Sequence, residues 1–365
     1  MFILEKAEFE RFKEKLGKSD NIDLLDQFRV RSNHDVLVNM GIDVHETKDE
    51  SGEKCVCIAI TYKIAAEIGS LGDNVSFLRN QIKNDPIFQT LISCPHKYHT
   101  VEAHTRWASI GAITEPNCHP VDNKGTGNIS DKSGIIHVCL NGDIDNYIEL
   151  NEEYESKGNL IHKDITTDTK IIPLQIEKYI LQGNDLEEAF RLAVNDFEGS
   201  HAIFMHSDLA PGKLFLAQKG SGQAIFIGLS EGHYLPTSEV YGFVEQTPFY
   251  LKMDGEKVVE GKDGKTQGQI FVLSQESGGA LQDIKAMFYD GTQVEIGEKD
   301  IKRTQITSRD IDRQEFPHYF LKEISESPVS VEKTLQNRWK IEENGKQRYV
   351  LTLDEKVFPI SIQQA

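Results

Sequence analysis

The stretch Gly134-Ile-Ile-His-Val-Cys-Leu-Asn-Gly142 joins a compact apolar run to an abrupt polar end. Its β-branched and aliphatic side chains predict a buried strand over residues 134–140. An Asn-Gly pair commonly forms a hairpin turn, which would lead into a second strand. Here the apolar residues Ile148, Leu150 and Tyr154 have helical spacing instead, so the sequence predicts a helix after this strand.

The end of that strand also has a chemical interpretation. Asn141 offers a side-chain amide, and Gly142 offers a flexible backbone N–H beside it. Two such donors can converge on one oxygen atom, as they do in an oxyanion hole, where negative charge develops in a transition state. A purely structural turn is the alternative interpretation of the same two residues.

Upstream of the strand, the stretch His104-Thr-Arg-Trp-Ala-Ser-Ile-Gly111 is followed closely by Pro116-Asn-Cys-His-Pro120. Glycine and proline interrupt this segment too often for a helix. A loop that carries an arginine, a large aromatic residue and hydroxyl groups is suited to binding a small anionic group. The alternative is a surface loop whose tryptophan packs into the core, which is the usual role of that residue.

Downstream, Thr166-Thr-Asp-Thr169 precedes an apolar helical pattern that runs from Ile171 to Ile180. Asp168 or Thr167 is a suitable N-cap for this helix, so capping is the alternative to a role of Asp168 in a site. A second helix is predicted from Leu186 to near Asp196. Beyond Ser200 the pattern changes to short alternating strands separated by turns, which favours an α+β fold with sheet stacked on sheet and helices outside.

The first part of the chain is predicted to be mixed as well. Residues 4–28 have the spacing of two short helices, and residues 36–60 form a predicted hairpin in which Cys55 and Cys57 share one face. Residues 65–91 return to a helical pattern with Ile82 and Phe88 as candidate core contacts.

Composition limits the possible partners. The 365 residues carry a formal net charge of −18, with a pI near 5.1, which argues against nucleic acid or an anionic membrane as partner. No apolar run approaches the roughly 20 residues that span a bilayer, and Met1 is not followed by a secretion signal. The five cysteines lack paired zinc-site spacing, so they are interpreted as reduced thiols in a cytoplasmic protein. We predict no metal ion and no cofactor.

Several motifs together resemble those of a known family. The chain is similar, from about Ile60 to Leu335, to the glutaminase domain of glucosamine-6-phosphate synthase, also called glutamine–fructose-6-phosphate transaminase (isomerizing). The motifs occur in the family's order and approximate spacing: HTRWASIG, PNCHP, LNGDIDNY, TTDT and EFPHYFLKEISESPVSVEKTL. Each motif alone is a weak indication, whereas five collinear motifs are a strong one.

The resemblance implies a type 2 glutamine amidotransferase with the four-layer α/β/β/α sandwich of N-terminal-nucleophile hydrolases. In that family glutamine is held as a zwitterion. By the resemblance, Arg106 holds the α-carboxylate with help from Ser109, Trp107 belongs to the loop that closes over the substrate, and Asp168 accepts from the α-ammonium. One cation and one anion at a fixed separation suit an amino acid, because arginine can bind a carboxylate in a bidentate manner.

The resemblance also implies the catalytic groups. Asn141 and the Gly142 N–H would form the oxyanion hole, while an N-terminal cysteine would attack the glutamine amide with its own α-amine as base. The chain instead begins Met1-Phe2-Ile3 and has no Arg-Gly-x-Asp-Ser-Ala-Gly segment. We therefore expect that the fold is incomplete at its N-terminus and that the chain alone is inactive, either as a fragment or as a pseudoenzyme. Cys118 beside His119 is a poor substitute, since adjacent side chains in an extended segment point apart.

The resemblance suggests three regions and several partners. Residues 1–60 would be a family-variant segment, 61–335 the type 2 amidotransferase domain, and 336–365 a linker toward sugar-isomerase domains that are absent here. Expected partners are L-glutamine or L-glutamate, and sugar-isomerase domains of the same or a separate chain that act on fructose 6-phosphate. A homodimer is compatible with the resemblance, and the sequence leaves the oligomeric state open. The alternatives are a non-catalytic glutamine- or glutamate-binding regulatory module, or the glutaminase domain of another amidotransferase.

Overall fold

A computed structural model describes residues 1–18, 23–32, 36–65, 73–106, 110–125, 134–306, 313–336, 339–343 and 347–351. The chain divides into two compact units, Met1–Gln305 and Ile306–Ala365. The described helices of the first unit are α1 (Lys6–Gly17), α2 (Leu24–Arg31), α3 (Asp73–Asn84), α4 (Pro86–Ile92), α5 (Tyr147–Ser156), α6 (Ile171–Leu181) and α7 (Leu186–Asn195).

The strands of the first unit are β1 (Phe2–Glu5), β2 (Gly41–Lys48), β3 (Lys54–Thr61), β4 (Tyr98–His99), β5 (Ile136–Gly142), β6 (His201–Ser207), β7 (Lys213–Lys219), β8 (Phe226–Ser230), β9 (His233–Thr237), β10 (Phe249–Lys252), β11 (Val258–Gly261), β12 (Gly264–Gln267), β13 (Gln269–Ser274), β14 (Ile284–Phe288) and β15 (Lys302–Arg303).

The centre of the first unit is an antiparallel sheet in the order β14-β13-β7-β6-β5. One face of β5 carries Ile136, Val138 and Leu140, which are buried in one core with residues of α6 and α7. The opposite face of the sheet contributes Ala202 and Leu216 to a second core, shared with the sheet β15-β10-β8-β9. Helices and a further sheet thus cover the two faces of the central sheet.

A second four-stranded sheet, in the order β2-β3-β1-β4, has its own helical cover. Apolar residues of α1, α2 and α4 pack on one face of it. Cys55 and Cys57 lie together on the other face, so the prediction that these two share a packing face is confirmed. That face meets the central sheet where Asp43 of β2 lies beside His137 of β5. The layers run helix, sheet, sheet, helix, which confirms the predicted α+β sandwich.

Most predicted elements are present, but several short strands of the first unit were not predicted, namely β1, β4, β9, β11, β12 and β15. The two N-terminal helices, the hairpin, the strand ending at Asn141-Gly142 and the helix after it are confirmed. Strand β1 was not predicted, because its four residues run without a turn into α1 and its Leu4 was assigned to the apolar spacing of that helix. Residues 66–72 of the predicted helical stretch 65–91 lie outside the described residues. The rest contains two helices, since Asp85 caps α4 by accepting the Ile87 N–H at 3.0 Å and Pro86 begins that helix.

The second unit contains α8 (Tyr319–Leu335) and the hairpin of β16 (Trp339–Glu343) and β17 (Gln347–Leu351). Helix α8 coincides with the last of the family motifs. The predicted domain boundaries at residues 60 and 335 stay predictions. No helix in the described part of the chain has the length and apolar character needed to cross a membrane.

Candidate functional site

A cavity of about 500 Å³ lies at the end of β5, and the loop of residues 101–106 forms part of its wall. Sequence reasoning proposed six site residues, which belong to three separate segments of the chain. Four of them line this cavity: Arg106, Asn141, Gly142 and Asp168. The other two, Trp107 and Ser109, lie outside the described residues.

The hydrogen bonds of β5 show which way its last N–H groups point. The N–H of Val138 donates to the Val121 carbonyl at 2.8 Å, and that of Leu140 donates to Nδ1 of His119 at 3.4 Å. Both donors therefore point away from β6, and alternate residues of a strand share a direction. Gly142 is two residues after Leu140, so its N–H should also point away from β6, toward the side of the strand that borders the cavity.

Only glycine suits position 142. Its φ is +109°, which is in the region that L side chains rarely adopt. A Cβ atom there would lie 2.2 Å from the Ser200 carbonyl oxygen. The neighbouring Asn141 side chain is exposed at the cavity wall, where it is available to a ligand.

Neither Asp168 nor Thr167 is the N-cap of α6, because that helix begins after Lys170 and has no side-chain cap. The Asp168 carboxylate accepts the Thr169 N–H at 2.9 Å in a short 3-10 turn that leads into α6, and it accepts the Ile144 N–H at 3.0 Å. The side chain is buried, yet it lines the cavity. Burial raises the pKa of this carboxyl, and the two backbone donors oppose that rise.

Arg106 is held by its own loop. Its guanidinium donates to the carbonyl oxygen of Ile110, and to that of Ala112 at 3.1 Å. A guanidinium has five N–H donors, so these two bonds leave donors for a ligand. The loop thus presents a positive charge at the cavity wall.

Sequence reasoning assigned no role to two histidines at this site. The rings of His104 and His119 lie 4.4 Å apart between centroids, and Nε2 of His119 is 2.9 Å from the Thr169 hydroxyl. Burial lowers the pKa of His104 to about 4 and also lowers that of His119, so both rings are neutral at pH 7. His104 begins the motif HTRWASIG and His119 lies in the motif PNCHP. Their place in these motifs was the sequence signal that could have indicated a role in the site.

The cysteines near the site are not activated. Cys139 lines the cavity, with its Sγ 3.6 Å from Oε2 of Glu102, and burial raises the pKa of its thiol. Cys118 donates to the Ile64 carbonyl at 3.5 Å, whereas His119 has Leu140 and Thr169 as partners. Cys118 and His119 therefore form no catalytic pair. The sequence predicted this, because adjacent side chains in an extended segment point apart.

Comparisons with known proteins give a consistent set of relatives. No protein-family model matches the chain. The chain is 33% identical over 234 residues to the glutamine–fructose-6-phosphate aminotransferase [isomerizing] of Methanothermobacter thermautotrophicus, a match that covers 64% of this chain and 34% of the relative. The enzyme of the same name from Sulfolobus acidocaldarius is 30% identical over 243 residues, covering 64% and 34%. That from Streptococcus mutans is 29% identical over 262 residues, covering 72% and 37%.

These matches cover only part of each relative. The chain spans about a third of the length of the curated relatives that it matches. Over about two thirds of its own length, this chain is therefore similar in sequence to one part of the glutamine–fructose-6-phosphate aminotransferases.

Proposed function

We propose that the cavity binds L-glutamine, or its product L-glutamate, and that the chain is the glutamine-binding part of a glutamine amidotransferase. One observation carries this proposal: a single cavity is lined by Arg106, Asp168 and the pair Asn141-Gly142. These groups are the cation, the anion and the amide donors that glutamine requires, and they come from three separate segments of the chain.

The charges at the cavity wall suit the ends of an amino acid. The buried Asp168 carboxylate would accept from the α-ammonium. The Arg106 guanidinium would bind the α-carboxylate, using donors that the Ile110 and Ala112 carbonyls leave free. We propose that Ser109 assists Arg106 and that Trp107 closes over the bound molecule.

The end of β5 would bind the other end of glutamine. The exposed Asn141 amide and the Gly142 N–H would donate to the oxygen of the glutamine side-chain amide. If a thiol attacks that amide carbon, the oxygen becomes an oxyanion and the two donors stabilise it. Breakdown then releases ammonia and leaves a thioester, which water converts to glutamate.

A nucleophile is the one component that the cavity does not offer among the described residues. A thiolate attacks far faster than a thiol, and the raised pKa of the buried Cys139 keeps it a thiol. We therefore propose that these 365 residues alone bind glutamine without hydrolysing it. The same observation favours a second candidate function, a non-catalytic glutamine- or glutamate-binding module that regulates a partner.

The use of the ammonia is a further part of the proposal. The relatives matched here are named for aminotransfer to fructose 6-phosphate. We propose that ammonia goes to that sugar phosphate on sugar-isomerase domains, in the same or a separate chain, when a nucleophile is provided.

Calorimetric titration with L-glutamine and L-glutamate tests the binding site. We expect R106A to bind at least about tenfold more weakly than wild type, which corresponds to about 1.4 kcal/mol. The matched control is R29A, which removes an exposed arginine of α2. Equal affinity of R106A and wild type would refute the role of Arg106.

An ammonia-release assay with glutamine tests the chemistry separately. We expect no release by the purified chain, while binding persists. Ammonia release that disappears in C139A would show that Cys139 is a working nucleophile. Absence of both binding and release would refute the binding proposal itself.

A further inference from the structure

A second cluster of polar side chains lies where β2 meets β5, apart from the residues that line the cavity. It consists of Asp43 on β2, His137 on β5 and Asp122, which follows the residue that bridges to β5. One ligand atom from each residue lies within 4.8 Å of those from the other two. All three side chains are buried, with 5%, 2% and 3% exposure for Asp43, Asp122 and His137.

The cluster contains polar atoms without partners. Both ring nitrogens of His137 and Oδ2 of Asp122 are buried and have no hydrogen-bond partner in the described part of the chain. Nε2 of His137 nevertheless faces Oδ2 of Asp43 at 3.5 Å. Buried polar atoms almost always have a partner, so these orphaned atoms indicate a missing ligand. We infer that Asp43, Asp122 and His137 form a binding site for a divalent transition-metal cation of the Zn²⁺ type.

The donor set favours this kind of cation. Imidazole nitrogen is a good ligand for zinc, whereas Mg²⁺ and Ca²⁺ prefer oxygen ligands alone. Both nitrogens of the buried His137 ring lack a hydrogen-bond partner among the described residues, so either one is available to coordinate. Bonds of about 2.0–2.2 Å in a tetrahedral site place ligand atoms roughly 3.3 Å apart. The present separations of up to 4.8 Å would contract by about 1.5 Å on binding.

Two lysines compete with a metal ion for these carboxylates. Lys124 pairs with Asp43, and the Lys170 ammonium lies 3.6 Å from Oδ1 of Asp122. Lys170 also donates to the Asp122 and Lys124 carbonyls, which hold it in place. Lys124 is the less constrained of the two, because its ammonium is held by the ion pair with Asp43, whereas that of Lys170 is also held by two backbone carbonyls. A metal ion would therefore displace the Lys124 ammonium from Asp43.

Titration of the full chain with Zn²⁺ against a chromogenic chelator, after removal of metals with EDTA, tests this site. We expect wild type to bind one Zn²⁺ and both D122N and H137Q to bind at least about tenfold more weakly. The matched control is H206Q, because His206 is also buried in the central sheet, with its ring 5.0 Å from that of His137 but outside the cluster. H206Q should keep the affinity of wild type.

The variant K124M tests the competition, and thermal unfolding supplies a second measurement. We expect K124M to bind Zn²⁺ more tightly than wild type, and Zn²⁺ to raise the Tm of wild type but not of D122N. Failure of wild type to bind one equivalent of Zn²⁺ would overturn the inference. Unchanged zinc affinity in D122N would also overturn it, because other residues would then bind the metal ion. This test does not depend on whether H137Q folds.

Discussion

The carboxylate of Asp168 accepts the backbone N–H of Ile144 at 3.0 Å. This bond ties the segment after β5 to the turn that begins α6. The other carboxylate oxygen accepts the Thr169 N–H at 2.9 Å. One buried side chain therefore holds together the two segments that supply the amide donors and the anion of the cavity.

Replacing Asp168 by asparagine should affect stability and binding together. Asparagine has one acceptor oxygen where Asp168 uses two, so one buried N–H is left without a partner. We expect D168N to lower the free energy of unfolding by about 1–3 kcal/mol and to weaken glutamine binding at least about tenfold. Urea denaturation and calorimetry measure the two effects.

The control for this variant is D164N, which makes the same change at an exposed side chain four residues earlier in the chain. D164N should leave both quantities near wild type. If D168N binds glutamine as tightly as wild type does, the carboxylate serves only to hold the Ile144 and Thr169 N–H groups.

Substitution of Gly142 should be costly for a geometric reason. The backbone has φ +109°, and an added Cβ would meet the Ser200 carbonyl at 2.2 Å. We expect G142A to lower the free energy of unfolding by about 3 kcal/mol. The control is G232A, which also has a positive φ but open space around the added atom, and should cost about 1 kcal/mol. Similar losses in the two variants would contradict the steric argument.

The layers and most strands could be predicted because alternation and turn residues are local properties. The run that ends at Asn141-Gly142 carries its own indication of a buried strand, and Leu150 and Tyr154 indicate the helix after it. Strand β1 could not be predicted in the same way. Its four residues become a strand through pairing with β3 and β4, which lie far along the chain.

The candidate site, too, could be predicted from the sequence only in part. Residue types and motif order were enough to propose Arg106 and Asp168, which the structure places around one cavity. The bond from Asp168 to Ile144 and the contacts of Arg106 with its own loop depend on where backbone atoms lie, which the sequence does not specify. The cluster of Asp43, Asp122 and His137 was missed because only the fold brings these three residues together.

The stability of the fold should fall as the pH falls below 7, partly because of His201. This side chain is fully buried, with Nε2 2.9 Å from the Tyr289 hydroxyl, and burial lowers its pKa from 6.5 to about 3. Between these two values the unfolded chain binds a proton that the folded chain does not. The stability that His201 contributes is therefore complete above pH 6.5 and is lost as the pH falls toward 3.

Urea denaturation at pH 7 and pH 5 measures this effect. His201 should account for about 2 kcal/mol of the loss in unfolding free energy between these pH values. H201Q is less stable at pH 7 but lacks the titrating group, so its loss over the same interval should be smaller by that amount. An identical pH dependence in H201Q and wild type would contradict the assignment to His201.

Cys139 should be slow to react even though it lines the cavity. Its side chain is 5% exposed, its Sγ lies beside the Glu102 carboxylate, and burial raises the pKa of the thiol, so little thiolate is present near pH 7.5. The half-buried Cys118 also has a raised pKa but is more accessible. With iodoacetamide and peptide mapping by mass spectrometry, we expect Cys118 to be labelled before Cys139.

Urea-unfolded chain is the control, in which both cysteines should react at similar rates. Rapid labelling of Cys139 that glutamine prevents would contradict the proposal, because it would show an activated thiol at the substrate.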